Sequence, residues 1–103
     1  MIVKIYQINN ERDIENRHFM SSKGRKVDPY IYDEVFNADI EESDVESIYT
    51  RFTTIFHPIY RGASMSVSDV IVFCGQAYFC ESIGFTKIEF DESKTQKIKN
   101  LTD

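Results

Sequence analysis

The stretch SDVESIYTRFTTIF, residues 43–56, decides the fold class because it predicts the one long helix of the chain. Ser43 and Glu46 have the spacing of a capping box, in which the serine hydroxyl accepts from the backbone N–H of the glutamate. Pro58 ends the helix shortly after residue 56. The apolar residues recur at three- and four-residue steps, which places them on one stripe of an amphipathic helix: Val45, Ile48, Tyr49, Phe52, Ile55 and Phe56.

Strand patterns surround this helix on both sides. The first is MIVKIYQI, in which Val3 and Ile5 share one face while Lys4 and Tyr6 share the other. Residues 67–73 are apolar on both parities after Val70, as in a central strand covered on both sides. The predicted strands are residues 1–8, 30–36, 67–73, 76–80 and 85–90, the last two forming a hairpin.

This order of elements predicts an α+β fold, with one long amphipathic helix packed on a mostly antiparallel sheet of about five strands. The 103 residues suffice for one domain, which we place at residues 1–90, followed by a polar tail over residues 91–103. We expect this tail to be frayed, with a short helix as the alternative. Residues 11–20 predict a short helix, and residues 21–29 predict an exposed loop.

Composition narrows the class of protein. No apolar run has the length of a membrane span, and the N-terminus does not resemble a signal peptide, so we expect a cytoplasmic location. Cys74 and Cys80 are expected to be free, buried thiols, unless they lie opposite each other across a hairpin. The chain has no C-x-x-C, and His18 and His57 are far apart, so we expect neither a metal site nor a cofactor.

The segment Gly62-Ala63-Ser64-Met65-Ser66 is one residue short of the nucleophile elbow G-x-S-x-G, with His57 upstream and Asp69 downstream. An elbow serine stands between a strand and a following helix, whereas here the helix precedes the serine and the strand follows it. We therefore predict a turn without catalytic residues, in which Gly62 meets a backbone requirement and Asp69 anchors the strand entry. A small serine-dependent enzyme built on Ser64, His57 and Asp69 is a remote alternative.

Charge is distributed unevenly along the chain, whose net charge is −5. Residues 27–50 contain eight acidic residues and no lysine or arginine. Such a segment creates a negative field that attracts basic partners and repels nucleic acid. Tyr30, Tyr32 and Tyr60 would be aromatic anchors near it if exposed. The candidate partner-binding residues are Asp39, Glu41, Glu42, Asp44 and Glu46.

A basic segment precedes the acidic one. Arg17, Lys23, Arg25 and Lys26 are the candidate phosphate contacts of an alternative function, direct binding of nucleic acid. The negative net charge opposes this alternative, and the chain contains no glycine-rich phosphate-binding motif.

Four phrases together resemble the YodL-like family of small bacterial proteins: MIVKIYQIN at 1–9, YDEVF at 32–36, RGASMSVSDVI at 61–71 and YFCESIGFTKIEF at 78–90. The resemblance runs from Met1 to about Phe90. The family occurs in Firmicutes, both as short proteins and as a domain in larger proteins of conjugative elements and phages. It has no established catalytic residues to carry over. The resemblance implies an accessory protein of mobile elements or their hosts that acts by binding.

The leading hypothesis is a non-enzymatic module that binds and modulates or inhibits another bacterial protein with a basic surface. A counter-defence inhibitor, such as an anti-CRISPR, is one version of this hypothesis. In that version, the five candidate carboxylates imitate phosphates against a basic groove. Membrane and nucleic-acid partners are not expected, and the sequence leaves the oligomeric state open.

Overall fold

The described residues form one six-stranded sheet and one α-helix. The computed structural model describes residues 1–17, 20–22, 26–54 and 58–97. The strands are β1 (Ile2–Ile8), β2 (Tyr32–Asp39), β3 (Val70–Phe73), β4 (Gln76–Cys80), β5 (Phe85–Ile88) and β6 (Gln96–Lys97), and the helix is α1 (Val45–Thr54).

The strand order in the sheet is β5-β4-β3-β1-β2-β6. All neighbours are antiparallel except β2 and β6, which run parallel. The predicted α+β fold is confirmed, with six strands in place of about five. The additional strand comes from the segment predicted as a frayed tail, and that prediction is wrong for residues 92–97. Residues 92–94 form a 3-10 turn, and Glu92 accepts a hydrogen bond from the Tyr6 hydroxyl at 2.6 Å.

Strand β3 lies at the centre of the sheet and is buried on both faces, as its sequence predicts. Val70 and Val72 pack in one hydrophobic cluster, whereas Ile71 and Phe73 pack in the other. The strand begins at Val70 rather than at residue 67, because Ser68 adopts a φ of 81° in the preceding turn.

Helix α1 covers one face of the sheet. Ile48 and Phe52 are fully buried against residues of four strands, including Ile5 and Ile71. No helix in the described residues covers the other face. That face is closed by Val27 and Ile31, which precede β2, and by Phe90, which packs edge-on against Tyr32 at 5.3 Å between ring centroids.

The helix cap differs from the prediction. Asp44, not Ser43, is the N-cap: its Oδ1 accepts from the backbone N–H of Ser47 at 2.8 Å. The helix therefore starts at Val45, one residue later than a capping box on Ser43 and Glu46 requires. Ile55 and Phe56, the last residues of the predicted stripe, lie outside the described residues.

Strand β2 starts and ends later than predicted, and it contains a β-bulge. A 3-10 turn over Pro29–Ile31, capped by Asp28, precedes it, and the strand continues to Asp39. Its register with β1 skips Val35, because Ile5 pairs with Phe36 and Tyr6 pairs with Glu34. The bulge places Val35 on the same face as Phe36, towards α1.

The helix predicted over residues 11–20 is wrong for the part of it that is described. The chain makes a single turn at Asn9, whose carbonyl accepts from the backbone N–H groups of Arg12 and Asp13, both at 3.1 Å. The Asn9 side chain accepts from the N–H of Glu11 at 2.9 Å. These bonds form one helical turn, which does not continue because Asn16 adopts a left-handed φ of 54°.

The two cysteines are free thiols, as predicted, but only Cys80 is buried. Cys74 and Gly75 form the two-residue turn between β3 and β4, with φ values of 52° and 73°. Positive φ at both positions is the type I′ arrangement, which matches the twist of a hairpin. Cys74 therefore lies at an exposed hairpin tip rather than within a strand.

Candidate functional site

The acidic connection, as we call the five carboxylates from Asp39 to Glu46, joins β2 to α1. Three of its members make contacts within the fold. Asp39 pairs with the amino group of Met1, Glu42 accepts two hydrogen bonds from Arg51 Nη1 at 2.9 and 3.1 Å, and Asp44 caps α1. Glu41 and Glu46 are exposed and bond to no other described residue. Two cations thus stand against five carboxylates, and the connection stays negative.

The structure describes only half of the basic segment. Lys23 and Arg25 lie outside the described residues. Lys26 is exposed, and Arg17 forms an ion pair with Glu15. Ser21 and Ser22, which precede Lys23, are held to the β4–β5 hairpin, because the Glu81 carboxylate accepts hydrogen bonds from both hydroxyls.

The turn of residues 62–66 does not bring the Ser64 hydroxyl into contact with the Asp69 carboxylate. The Ser64 hydroxyl is exposed and donates to the Thr53 carbonyl at 3.3 Å. Asp69 instead accepts from the backbone N–H of Ser66 at 2.9 Å and from Gln7 Nε2 at 3.0 Å, both through Oδ2. The carboxylate anchors the entry to β3, as the sequence predicts, while His57 lies outside the described residues.

Gln7 is the residue of this region that sequence reasoning missed, because no local pattern marks it. Its side-chain amide pairs with the backbone of Ala63 as a neighbouring strand would: the N–H of Ala63 donates to Oε1 and Nε2 donates to the carbonyl, both at 2.9 Å. The Tyr60 hydroxyl donates to the same carbonyl at 2.6 Å. One side chain on β1 therefore fixes the loop of residues 60–66.

Gly62 has a different role from the one predicted. It is not among the glycines with positive φ, so the turn does not demand its backbone freedom. A Cβ at this position would instead lie 2.3 Å from Gln7 Oε1 and 2.9 Å from Val35 Cγ2. The loop approaches the sheet too closely at this point for any side chain.

Replacing Gly62 with alanine is therefore expected to destabilise the fold by about 1–3 kcal/mol, the usual cost of overpacking. Chemical denaturation measures this change. Alanine at Gly84 is the comparison variant. Its Cβ would meet no atom within 4 Å, so this variant has no steric clash and only the backbone strain of a φ of 78°. If Gly62→Ala costs no free energy of unfolding, the loop is not packed against Gln7 as described.

A cavity of about 160 Å³ opens beside this loop. Its polar lining includes the side chains of Gln7, Asn10, Ser64, Ser66 and Asp69. Asp69 is 5% exposed and forms no ion pair with any described residue.

Burial outweighs the two hydrogen bonds and raises the pKa of the Asp69 carboxyl from 3.8 to about 7. Burial, together with the charge of Asp69, also raises the pKa of the Tyr60 hydroxyl and of the Cys80 thiol. Both groups therefore stay neutral near pH 7, and neither offers Asp69 a positive charge.

Of the three tyrosines considered as aromatic anchors, only Tyr30 is exposed. It is 54% exposed, whereas Tyr32 is fully buried and Tyr60 is 8% exposed. The Arg12 guanidinium lies 5.7 Å from the centroid of the Tyr30 ring. The other two rings belong to the core, Tyr32 from β2 and Tyr60 from the loop of residues 60–66.

Comparisons with known proteins give one positive result. The family model of the YodL-like domain matches residues 2–90. No curated protein and no solved structure matches the chain. Within the part of the chain that is described, no group of three or more His, Cys, Asp or Glu side chains would hold a metal ion. None of the described helices combines the length and apolarity that a membrane crossing requires.

Proposed function

The chain belongs to the YodL-like domain family, and from this premise we propose that it is a non-enzymatic cytoplasmic module that binds another bacterial protein. The contact surface is the acidic connection. Binding modulates or inhibits the partner, in the setting of a phage or another mobile genetic element.

The observation that supports this proposal most is the way in which the acidic connection is held. The N–H of Ile40 bonds to the Met1 carbonyl at 3.1 Å, Glu42 is tied to Arg51, and Asp44 caps α1. These contacts fix the backbone on both sides of Glu41 and close to Glu46. The backbone that carries the carboxylates of Glu41 and Glu46 is therefore ordered before binding, which lowers the entropic cost of association.

A row of carboxylates on an ordered backbone suits a partner with a basic surface. Opposite charges on the two proteins speed their encounter and exclude wrong partners. A groove that normally holds nucleic acid is one such surface, and there the carboxylates would take the place of phosphates. A counter-defence inhibitor of the anti-CRISPR kind would act in this way.

Reversing the two charges that make no contact within the described fold, in the variant Glu41→Lys/Glu46→Lys, is expected to weaken partner binding by about 100-fold or more, because like charges across an interface cost several kcal/mol. The measurement is an affinity pull-down from a nuclease-treated Firmicute lysate, followed by titration of the recovered protein. Glu42 is left intact, because its reversal would place a lysine against Arg51 and disturb the fold.

The control reverses two exposed acids elsewhere, Glu11 and Glu89. Two reversals change the net charge of −5 by four, so both variants carry −1. A partner lost equally from both variants would reflect overall charge and contradict the proposal, as would a partner kept by both. Recovery of material only before nuclease treatment would instead favour the basic segment that contains Arg17 and Lys26.

A further inference from the structure

The cavity beside Asp69 contains a negative charge that the described residues do not balance. Both hydrogen bonds to the Asp69 carboxylate reach Oδ2, from Ser66 and from Gln7. Oδ1 accepts no hydrogen bond from a described residue. The side chain is almost completely buried, and a buried carboxylate without a cation is unfavourable unless a donor or a counter-ion reaches it.

The rest of the lining is suited to N–H donors. Among the lining residues, Ser64 and Ser66 offer hydroxyl oxygens and Asn10 offers an amide oxygen. A volume of about 160 Å³ is below the usual range of sites for drug-sized ligands, but it is large enough for the head group of one side chain. Among the described residues, no lysine or arginine lines this cavity.

We propose that this cavity binds a single alkylguanidinium or alkylammonium group, with Asp69 as its counter-ion and the hydroxyls of Ser64 and Ser66 as further acceptors. Such a group is carried by the arginine and lysine side chains of proteins and by free diamines. Its N–H donors would occupy Oδ1 and neutralise the charge that burial leaves uncompensated.

This site is separate from the acidic connection. The N–H of Met65 donates to the Phe52 carbonyl at 3.1 Å, so the cavity loop lies beside the last described turn of α1. Glu46 lies in the first turn, about 9 Å from Phe52 along an α-helix. The cavity is thus a second site, and its test does not depend on the function proposed above.

The test is an NMR titration of the whole protein at pH 8, with three probes. N-acetyl-arginine methylamide represents a protein side chain, agmatine represents a free cation, and N-acetyl-citrulline methylamide is the neutral analogue of the first. We expect saturable shifts of the Ser66 backbone N–H and the Gln7 side-chain amide. The neutral analogue should bind at least 10-fold more weakly. Tighter binding of agmatine would identify the source as a free cation, and equal or tighter binding of the acetylated probe would identify a protein side chain.

Two variants separate charge from shape. Asp69→Asn keeps an oxygen for Ser66 and Gln7 but removes the charge, and Ser64→Phe blocks the mouth while leaving the carboxylate in place. Each should reduce cation affinity at least 10-fold, and the exposed position of Ser64 makes the second variant compatible with folding. Equal binding of the neutral analogue, or no saturation at 100 mM of either cation, would overturn the proposal.

Titration of the Asp69 carboxyl with and without the cation distinguishes binding from a purely structural role, because only a bound cation shifts the midpoint. At ten times its dissociation constant, a cation that binds only the ionised form lowers the midpoint by about 1 pH unit. Among the residues that the structure describes, the titratable groups whose pKa the Asp69 charge raises are Tyr49, Tyr60 and Cys80. None of them ionises in the range of this titration, so an unchanged midpoint would contradict binding at the carboxylate.

Discussion

Replacing Asp69 with asparagine is expected to stabilise the fold at pH 8 by on the order of 4 kcal/mol and to have little effect at pH 4. The cause is the pKa of the carboxyl, which burial raises from 3.8 to about 7. Asparagine has nearly the same shape and keeps an oxygen at the place where the backbone of Ser66 and the Gln7 amide donate their hydrogen bonds.

The direction of this effect follows from proton binding. The folded protein holds the Asp69 proton more tightly than the unfolded chain does. The contribution of this group to stability is therefore full below about pH 4 and falls as the pH rises to about 7. Above that, the folded state retains the full cost of a buried negative charge, which the asparagine variant avoids.

Urea denaturation of both proteins between pH 4 and pH 8 measures the difference in free energy of unfolding. Because other titrating groups are common to both proteins, the difference isolates position 69. A difference that does not change with pH would mean that Asp69 ionises normally, and so that the loop of residues 60–69 admits water. A two-dimensional NMR spectrum of the variant checks that the loop keeps its conformation.

Replacing Phe52 with alanine is expected to destabilise the fold by about 3–5 kcal/mol, the usual cost of deleting a buried aromatic ring. The ring is fully buried, and its centroid lies 4.8 Å from that of Phe36 and 4.8 Å from that of Tyr60. It joins α1 both to β2 and to the loop that contains Gly62. Since small domains are stable by only about 5–15 kcal/mol, this loss is a large part of the total.

Chemical denaturation at one pH is sufficient for this measurement. Thr50→Ala on the exposed side of the same helix is the control and should change stability by less than about 1 kcal/mol. If Phe52→Ala cost no more than the control, α1 would not be packed on the sheet through this residue. Hydrogen exchange shows where the variant is destabilised. If only the 60–66 loop lost protection, the role of the ring would be restricted to its contact with Tyr60.

Most of the fold can be predicted from the sequence, because the periodic spacing of apolar residues indicates helices and strands directly. The buried positions of α1 that are described, Ile48 and Phe52, fall on the predicted stripe. The apolar run of β3 carries side chains to both faces of the sheet, as expected for a central strand. Such local patterns need no knowledge of distant residues, because each depends only on neighbours a few positions away.

Features that depend on distant contacts were wrong or missed. The β-bulge at Val35 and the parallel pairing of β6 depend on partners far away in the chain, with no local signal. The paired hydrogen bonds between the Gln7 side chain and the Ala63 backbone join residues 56 positions apart. Gly62 was rightly selected but for the wrong reason, because close approach to the sheet, not φ, excludes a side chain there.

The candidate functional residues also show this difference between local patterns and distant contacts. The sequence by itself determined the fold class, the positions of the main elements and the acidic character of the β2–α1 connection, because composition and periodicity are local properties. Only the tertiary structure decided which carboxylates the fold uses and which it leaves without a contact among the described residues, Glu41 and Glu46. It also decided that Asp69 is buried with no cation beside it in the described part of the chain. Burial and ion pairing are properties of the space around a group, and that space is created when distant segments meet.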